Sequence, residues 1–242
     1  MRTRYKARFA SSDADVLAVQ TLRGQVFRGK SAGLDADAFD QQCQHMMVED
    51  GRQDGRLVCV FRIQPFANGS EIERSYSAQY YELSALQNYQ GKLVEMGRFC
   101  IDPAYNDPDI LRVAWSAMTA YVDDNNVEML FGCSSFHGVD ADNYMDAFAL
   151  LKERHLAPKR WLPRVKAPSV FSFARKLALM KPNLKTARKM MPPLLRTYLV
   201  MGGWVSDHAV VDRDLNTLHV FTGLEIGAIP ANRKRLLRAV VG

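Results

Sequence analysis

One stretch constrains this chain more than any other. LVEMGRFCID, Leu93 to Asp102, reads as a buried strand with a glutamate and an arginine in its middle. Charged side chains are almost never fully buried unless they are paired, and an unpaired one costs several kcal/mol. Glu95 and Arg98 therefore either form a structural ion pair or line a site that uses them. Residues three apart on a regular strand point to opposite faces. A glycine inside a strand often marks a bulge, and Gly97 stands between the two charges. One extra residue there turns both side chains toward one cleft and releases backbone N–H groups at Met96 and Gly97.

The rest of the chain can build a body around such a strand. Its 242 residues, 48% hydrophobic and 24% charged, have the composition of an ordinary globular protein. We expect one domain over residues 1–242, carrying a basic, partly helical insertion at about 152–196. The opening MRTRYKARFASSDADV lacks the apolar core of a signal peptide, and no apolar run is long enough to span a bilayer. The expected location is the cytoplasm, at the inner membrane face. Cys43, Cys59, Cys100 and Cys133 form no CxxC pair. Cys59, Cys100 and Cys133 lie in apolar, strand-like text and read as buried thiols, with no metal site.

Charge is distributed unevenly. Residues 152–196 hold thirteen Lys or Arg against one acid, Glu153, a balance of +12. The remainder holds nineteen bases and twenty-five acids, a balance of −6. A mildly acidic body thus carries one basic segment, suited to an acidic protein, an anionic membrane or a nucleic acid.

Periodicity supplies the elements. SSDADVLAVQTLRGQVFR offers caps at Ser11, Ser12 and Asp13 and then apolar residues three to four apart, an amphipathic helix. HMMVED and RLVCVFRIQPF read as strands around the turn GRQDG. YSAQYYELSALQNY reads as a second helix. Asp107 and Pro108 cap and start a third, through DILRVAWSAMTAYVDDNN. VEMLFGCSSF, HAVVD and TLHVFTGLEI are further strands. Pro182 divides SVFSFARKLALMKPNLKTARKMM into two short amphipathic helices. Helices alternating with strands argue for a mixed α/β layer fold.

LRGQVF (22–27), DAFD (37–40), CVFRI (59–63) and EMGRF (95–99) occur in that order. Together they resemble the acyltransferases of the GNAT superfamily that use acyl carrier protein. Two branches share this layout: the acyl-homoserine-lactone synthases and the ornithine N-acyltransferases that begin ornithine-lipid synthesis. Carried over by motif, Arg23, Phe27, Asp37, Asp40, Arg62, Glu95 and Arg98 match charged or aromatic positions common to both. EMGRFCIDPAYNDPDILRVAW, LFGCSSFHGVD, KERHLAP, MPPLLRTYL and AVVDRDLNT resemble the ornithine branch, over roughly residues 8–230. The chain departs from the synthases in lacking a tryptophan between Arg28 and Asp37. It departs from acetyl-CoA users in having glycine-free DPAYND where they place a glycine-rich pyrophosphate turn.

The resemblance implies a GNAT-like fold and attack by the α-amine of L-ornithine on a 3-hydroxyacyl carrier-protein thioester. The product is lyso-ornithine lipid, and no cofactor is expected beyond the carrier's phosphopantetheine. Glu95 is the candidate general base, with oxyanion donors from the Met96–Gly97 backbone. Arg98 would orient Glu95 or hold the amino-acid carboxylate. Arg23, Phe27, Asp37, Asp40 and Arg62 would line the substrate site or form a supporting ion-pair cluster. Arg175, Lys176, Lys181, Lys185, Arg188 and Lys189 would dock acyl carrier protein or an anionic membrane; no nucleic acid is expected as a partner. Cys133 and Ser134 have no histidine placed by the sequence to activate them as nucleophiles. The competing readings are a homoserine-lactone synthase-like enzyme and a non-catalytic basic protein that binds membrane or nucleic acid.

Overall fold

The Ser12 hydroxyl accepts from the Asp15 N–H, and the first helix begins at the next residue, as the cap predicts. The computed structural model describes residues 4–29 and 33–238. Its strands are β1 (Tyr5–Phe9), β2 (Gln44–Asp50), β3 (Arg56–Phe66), β4 (Tyr81–Glu82), β5 (Leu93–Ile101), β6 (Met129–His137), β7 (Arg164–Val165), β8 (Val170–Phe171), β9 (Trp204–Val205), β10 (Ala209–Asp212) and β11 (Thr217–Glu225). Its helices are α1 (Asp13–Phe27), α2 (Pro108–Asn125), α3 (Met145–Arg154), α4 (Phe173–Lys176), α5 (Leu184–Met190), α6 (Pro193–Val200) and α7 (Ala231–Arg238).

These elements gather into two units, and β5 runs through the boundary between Glu95 and Met96. The first unit comprises Met1–Pro65, Met96–Val127 and Ala231–Gly242. Its strands lie in the order β1-β2-β3-β5. The β2–β3 hairpin turns at GRQDG, where Asp54 and Gly55 both have positive φ and a residue with little steric demand is favoured. Val19 and Leu22 of α1 pack with Met47, Val60 and Cys100 into a small core. The stripe of α2 that faces inward, Ile110, Ala114, Met118 and Tyr121, keeps the spacing of its sequence period.

The second unit comprises Phe66–Glu95 and Glu128–Pro230. Here the order is β5-β6-β11-β10-β8, with β9 also on β11. The β5–β6 ladder is parallel and covers only Leu93↔Met129, Val94↔Leu130 and Glu95↔Phe131. The β6–β11 ladder is antiparallel over nine residues. Phe136, Phe148 and Phe173 fill a core beneath α3, and Tyr81, Phe131 and Phe221 fill another. The sheet of this unit is mixed, as the alternating elements imply.

Two expectations are corrected, and two elements are added. YSAQYYELSALQNY is not a helix but 3-10 turns at Ser77–Gln79 and Ser84–Leu86 around β4. Tyr81 is fully buried and pairs with Val165 of β7, so a distant strand takes the segment. Cys133 is half-buried rather than buried like Cys59 and Cys100. The added elements are α3 and β1. The basic segment does contain separate short helices, α4 and α5, divided around Pro182.

Candidate active site

In the first unit three arginines and three aspartates form a closed ring of alternating charge. DAFD folds into a 3-10 turn, Ala38–Gln42, because Asp37 accepts from the Phe39 N–H while Asp40 accepts from the Asp37 N–H. That reciprocal cap sets the two carboxylates side by side. Arg23, fully buried on α1, reaches Asp40 at 2.7 Å and Asp35 at 2.8 Å. Asp35 continues to Arg98 at 3.0 Å, and Arg98 to Asp37 at 3.2 Å. Arg62 on β3 closes the circuit, 2.6 Å from Asp37 and 2.8 Å from Asp40.

Gly24 is what lets the loop reach Arg23. A Cβ at Gly24 would collide with the Gly33 carbonyl oxygen, and the Asp35 N–H donates to the Gln20 carbonyl at 3.1 Å. The RG of LRGQVF is thus one device: the arginine supplies charge and the glycine supplies room for its partner's backbone. Phe27, on the same helix, lies 5.9 Å from the Arg98 guanidinium carbon.

Electrostatics follow from this pairing. Burial pushes the Asp40 carboxyl up, but Arg23, Gln20 and Arg62 outweigh it and hold it down at about 2. Burial likewise raises Asp35, and Arg98 and Arg23 bring it below the usual carboxylate range. Burial lowers Arg62, yet Asp37 leaves its pKa raised. Each charge is therefore compensated by at least two neighbours, Asp35 also meeting Arg28 at 3.3 Å, the condition under which buried ions are tolerated.

The second unit treats its buried carboxylate differently. Glu95 is only 4% exposed, and its partners include neutral donors. Oε2 accepts from the Tyr76 N–H at 2.7 Å; Oε1 accepts from the Ser77 N–H at 2.8 Å and the Ser77 hydroxyl at 2.5 Å. The carboxylate thereby caps the turn at Ser77–Gln79 and holds Tyr76, whose phenol lies 3.3 Å from that of Tyr80. Ser77 Oγ lies 3.4 Å from Cys133 Sγ, so thiol, hydroxyl and carboxylate follow one another. Burial, then the nearby charge of Glu95, raises the pKa of the Tyr198 phenol.

The structure therefore brings together Arg23, Asp37, Asp40, Arg62 and Arg98, with Phe27 alongside. Glu95 belongs to the other unit with Ser77 and Tyr76. Beside Gly97, where a bulge is expected, the strand backbone turns left-handed. Arg98 has φ +52°, a left-handed conformation unusual for a side-chain-bearing residue, whereas Gly97 lies outside that range. Its two ion pairs fix Arg98 in this conformation against the local preference. Met96 is buried and Gly97 half-buried. Arg175, Lys176, Lys181, Lys185, Arg188 and Lys189 are all exposed. The Ser134 hydroxyl accepts from Thr222 at 2.9 Å.

Sequence reasoning missed two members of these clusters. Asp35 alternates with Asp37 in an extended stretch, so both side chains share a face. That spacing was a readable signal. Ser77 carried none: its role depends on Glu95, eighteen residues away and meeting it only in the fold.

Comparison with known proteins agrees with this architecture. Residues 21–116 match the acetyltransferase (GNAT) domain family, a span that contains both Glu95 and the whole ring. Among solved structures, FeeM, an N-acyl amino acid synthase from uncultured soil microbes, superposes with TM-score 0.54 at 11% identity, over 93% of each chain. BjaI, a CoA-dependent acyl-homoserine lactone synthase solved with SAM and isopentyl-CoA, gives 0.51 at 12% identity, over 99% of this chain and 89% of that one. These likenesses establish the GNAT-like fold. A protein of Rhodobacter capsulatus named L-ornithine N(alpha)-acyltransferase is 31% identical over 93% of this chain and 91% of its own length. One of the same name from Brucella abortus is 28% identical over 93% of this chain and 85% of its own. With a GNAT fold and 31% identity to the Rhodobacter protein over more than nine-tenths of both chains, this chain is an acyltransferase belonging to the L-ornithine N(alpha)-acyltransferase family.

Proposed function

We propose that this chain moves a 3-hydroxyacyl group from acyl carrier protein to the α-amine of L-ornithine, giving the lyso-ornithine lipid that opens ornithine-lipid synthesis. The observation that carries the acceptor is the identity with the Rhodobacter capsulatus protein over more than nine-tenths of both chains.

The N-terminus of α2 supports a carrier protein as donor over a CoA thioester. A helix start binds pyrophosphate when its N–H groups are open. Here the Asp107 carboxylate caps the helix by accepting from the Asp109 N–H, and it is itself held by the Tyr5 hydroxyl at 2.9 Å and Arg4 at 3.2 Å. Asp102 accepts from the Ala104 N–H just before it. A CoA pyrophosphate would meet two carboxylates there, whereas a carrier protein brings no nucleotide. Its acidic helical surface would complement the basic segment 152–196 and raise the association rate.

In the proposed reaction an ornithine ammonium first loses a proton, with Glu95 as acceptor directly or through one water. The amine then forms the new C–N bond at the thioester carbon. Backbone N–H groups of Met96 and Gly97 stabilise the oxyanion. The C–S bond breaks, and the carrier thiolate leaves and takes up a proton. Arg98, tied to Asp35 and Asp37, is assigned a positioning role together with Arg23, Asp40 and Arg62. The site of action is proposed to be the inner membrane face, reached peripherally. No helix among the described residues is long and apolar enough to cross a membrane.

The test is incubation of the purified protein with ornithine and either a 3-hydroxyacyl carrier protein or the matching CoA thioester, followed by mass spectrometry. The expected result is N-acylornithine from the carrier-protein donor. No amide product with ornithine or any other amine would overturn acyl transfer. Equal turnover of the CoA thioester would overturn the donor assignment.

A further inference from the structure

The apolar residues of the basic segment do not share one fate. Phe173 and Leu177 are buried in the core beneath α3, and Phe171 and Met180 pack against it. Leu179, two residues from buried Leu177, is 98% exposed. It stands in the turn between α4 and α5, and that turn is tightly built. Ala178 N–H donates to the Arg175 carbonyl and Met180 N–H to the Leu177 carbonyl. From the last turn of α3, the Lys152 ammonium donates to the carbonyls of Leu177, Ala178 and Met180 at 2.9, 3.2 and 3.0 Å. One buttressing cation thus holds three carbonyls of a single turn, on both sides of Leu179, and the leucine is held outward by structure.

Its sequence neighbours are cationic and exposed: Arg175 and Lys176 before it, Lys181 and Lys185 after it. No acid occurs between Glu153 and the end of the segment at residue 196. An exposed leucine on a fixed turn, flanked by long cationic side chains, has the amphipathic chemistry of a membrane-surface element. The bases suit lipid phosphates, and the leucine suits the acyl boundary just below them.

We propose that the 177–181 turn inserts Leu179 into an anionic bilayer, with Lys152 as the residue that keeps the turn in its inserting shape. This deepens the reading that the chain works at the inner membrane face, and rests on it. Charge complementarity selects an anionic surface. A bilayer, unlike a folded partner, needs no pocket to receive a single projecting side chain.

The test is flotation of the full chain with vesicles of phosphatidylglycerol in phosphatidylcholine, and with phosphatidylcholine alone. No acyl donor or amine is present, so an enzyme that acylated a different amine would still pass. The chain is expected to float with the anionic vesicles and to be released by salt. Leu179→Ser should weaken binding by roughly tenfold or more, as expected for losing one buried leucine, without altering thermal stability. Leu179→Trp should bind, with fluorescence shifted to the blue on anionic vesicles. Lys152→Met, which leaves the three carbonyls without that donor, should weaken binding with Leu179 still present. Wild-type binding by Leu179→Ser together with unshifted Leu179→Trp emission overturns the proposal. So does a Leu179→Ser variant that keeps vesicle binding but loses acyl carrier protein, which would make the turn a protein dock.

Discussion

The two units hold their buried carboxylates in different settings. In the first, Arg23, Arg62 and Arg98 alternate with Asp35, Asp37 and Asp40, and each ion is compensated by at least two ions of the other sign. In the second, Glu95 is held by two backbone N–H groups and one hydroxyl. The difference separates what each arrangement can be asked to do. A ring of ions is rigid and loses stability when a member is removed. A carboxylate held by two backbone N–H groups and a hydroxyl has its place set by the 76–80 turn. The ring is suited to framing a site and Glu95 to acting in one.

The sharpest way to break that contrast is Arg23→Met. It removes a fully buried cation and leaves Asp35 and Asp40 each short of one partner. Thermal or denaturant unfolding should show a loss of about 3–5 kcal/mol. A loss below about 1 kcal/mol would mean the ring is not a structural unit. Next in size is Glu95→Gln, which keeps shape but replaces one acceptor oxygen with a donor facing the backbone. Turnover should fall by about a hundredfold or more, with a much smaller shift in unfolding. If stability falls and the remaining folded enzyme turns over normally, Glu95 is an anchor alone.

Acid should weaken the ring through Asp40. Its folded pKa of about 2 lies below the ordinary 3.8, so the native state binds fewer protons in that interval. The corresponding stability, about 2 kcal/mol, is fully present above about pH 4 and disappears as pH falls toward 2. An acid titration of unfolding free energy should show this slope, and Asp40→Asn should flatten it. The smallest expected effect is Ser77→Ala, which removes one donor to Glu95 and leaves the two N–H groups. Its stability cost should be about 1–2 kcal/mol. A clear change in the pH–rate profile would show that the hydroxyl also sets the carboxylate's proton affinity.

Where the sequence was legible, the deciding forces were local. Ser12 and Asp107 with Pro108 announced α1 and α2 because a cap acts within one turn. The β2–β3 hairpin was legible from its turn. Five of the six ring members could be named from motif order, and Asp35 could have been added from its alternation with Asp37. The segment 76–89 was misread because its N–H donors and Tyr81 ring answer to Glu95 and to a distant strand, which no local period records. Next to Gly97 in β5, Arg98 takes a left-handed φ that its own preference disfavours, and its pairing with Asp35 and Asp37 is not written in the local sequence.

The ring also has a consequence for how such a sequence can drift. Each member touches two others of opposite sign, so a single replacement by a neutral or reversed residue always leaves two neighbours miscounted. Tolerable changes must come at least in adjacent pairs, one acid with one base. A loop carrying Asp35, Asp37 and Asp40 is therefore not free to vary alone, because its acceptable substitutions are chosen jointly by a helix and two strands far from it in the chain.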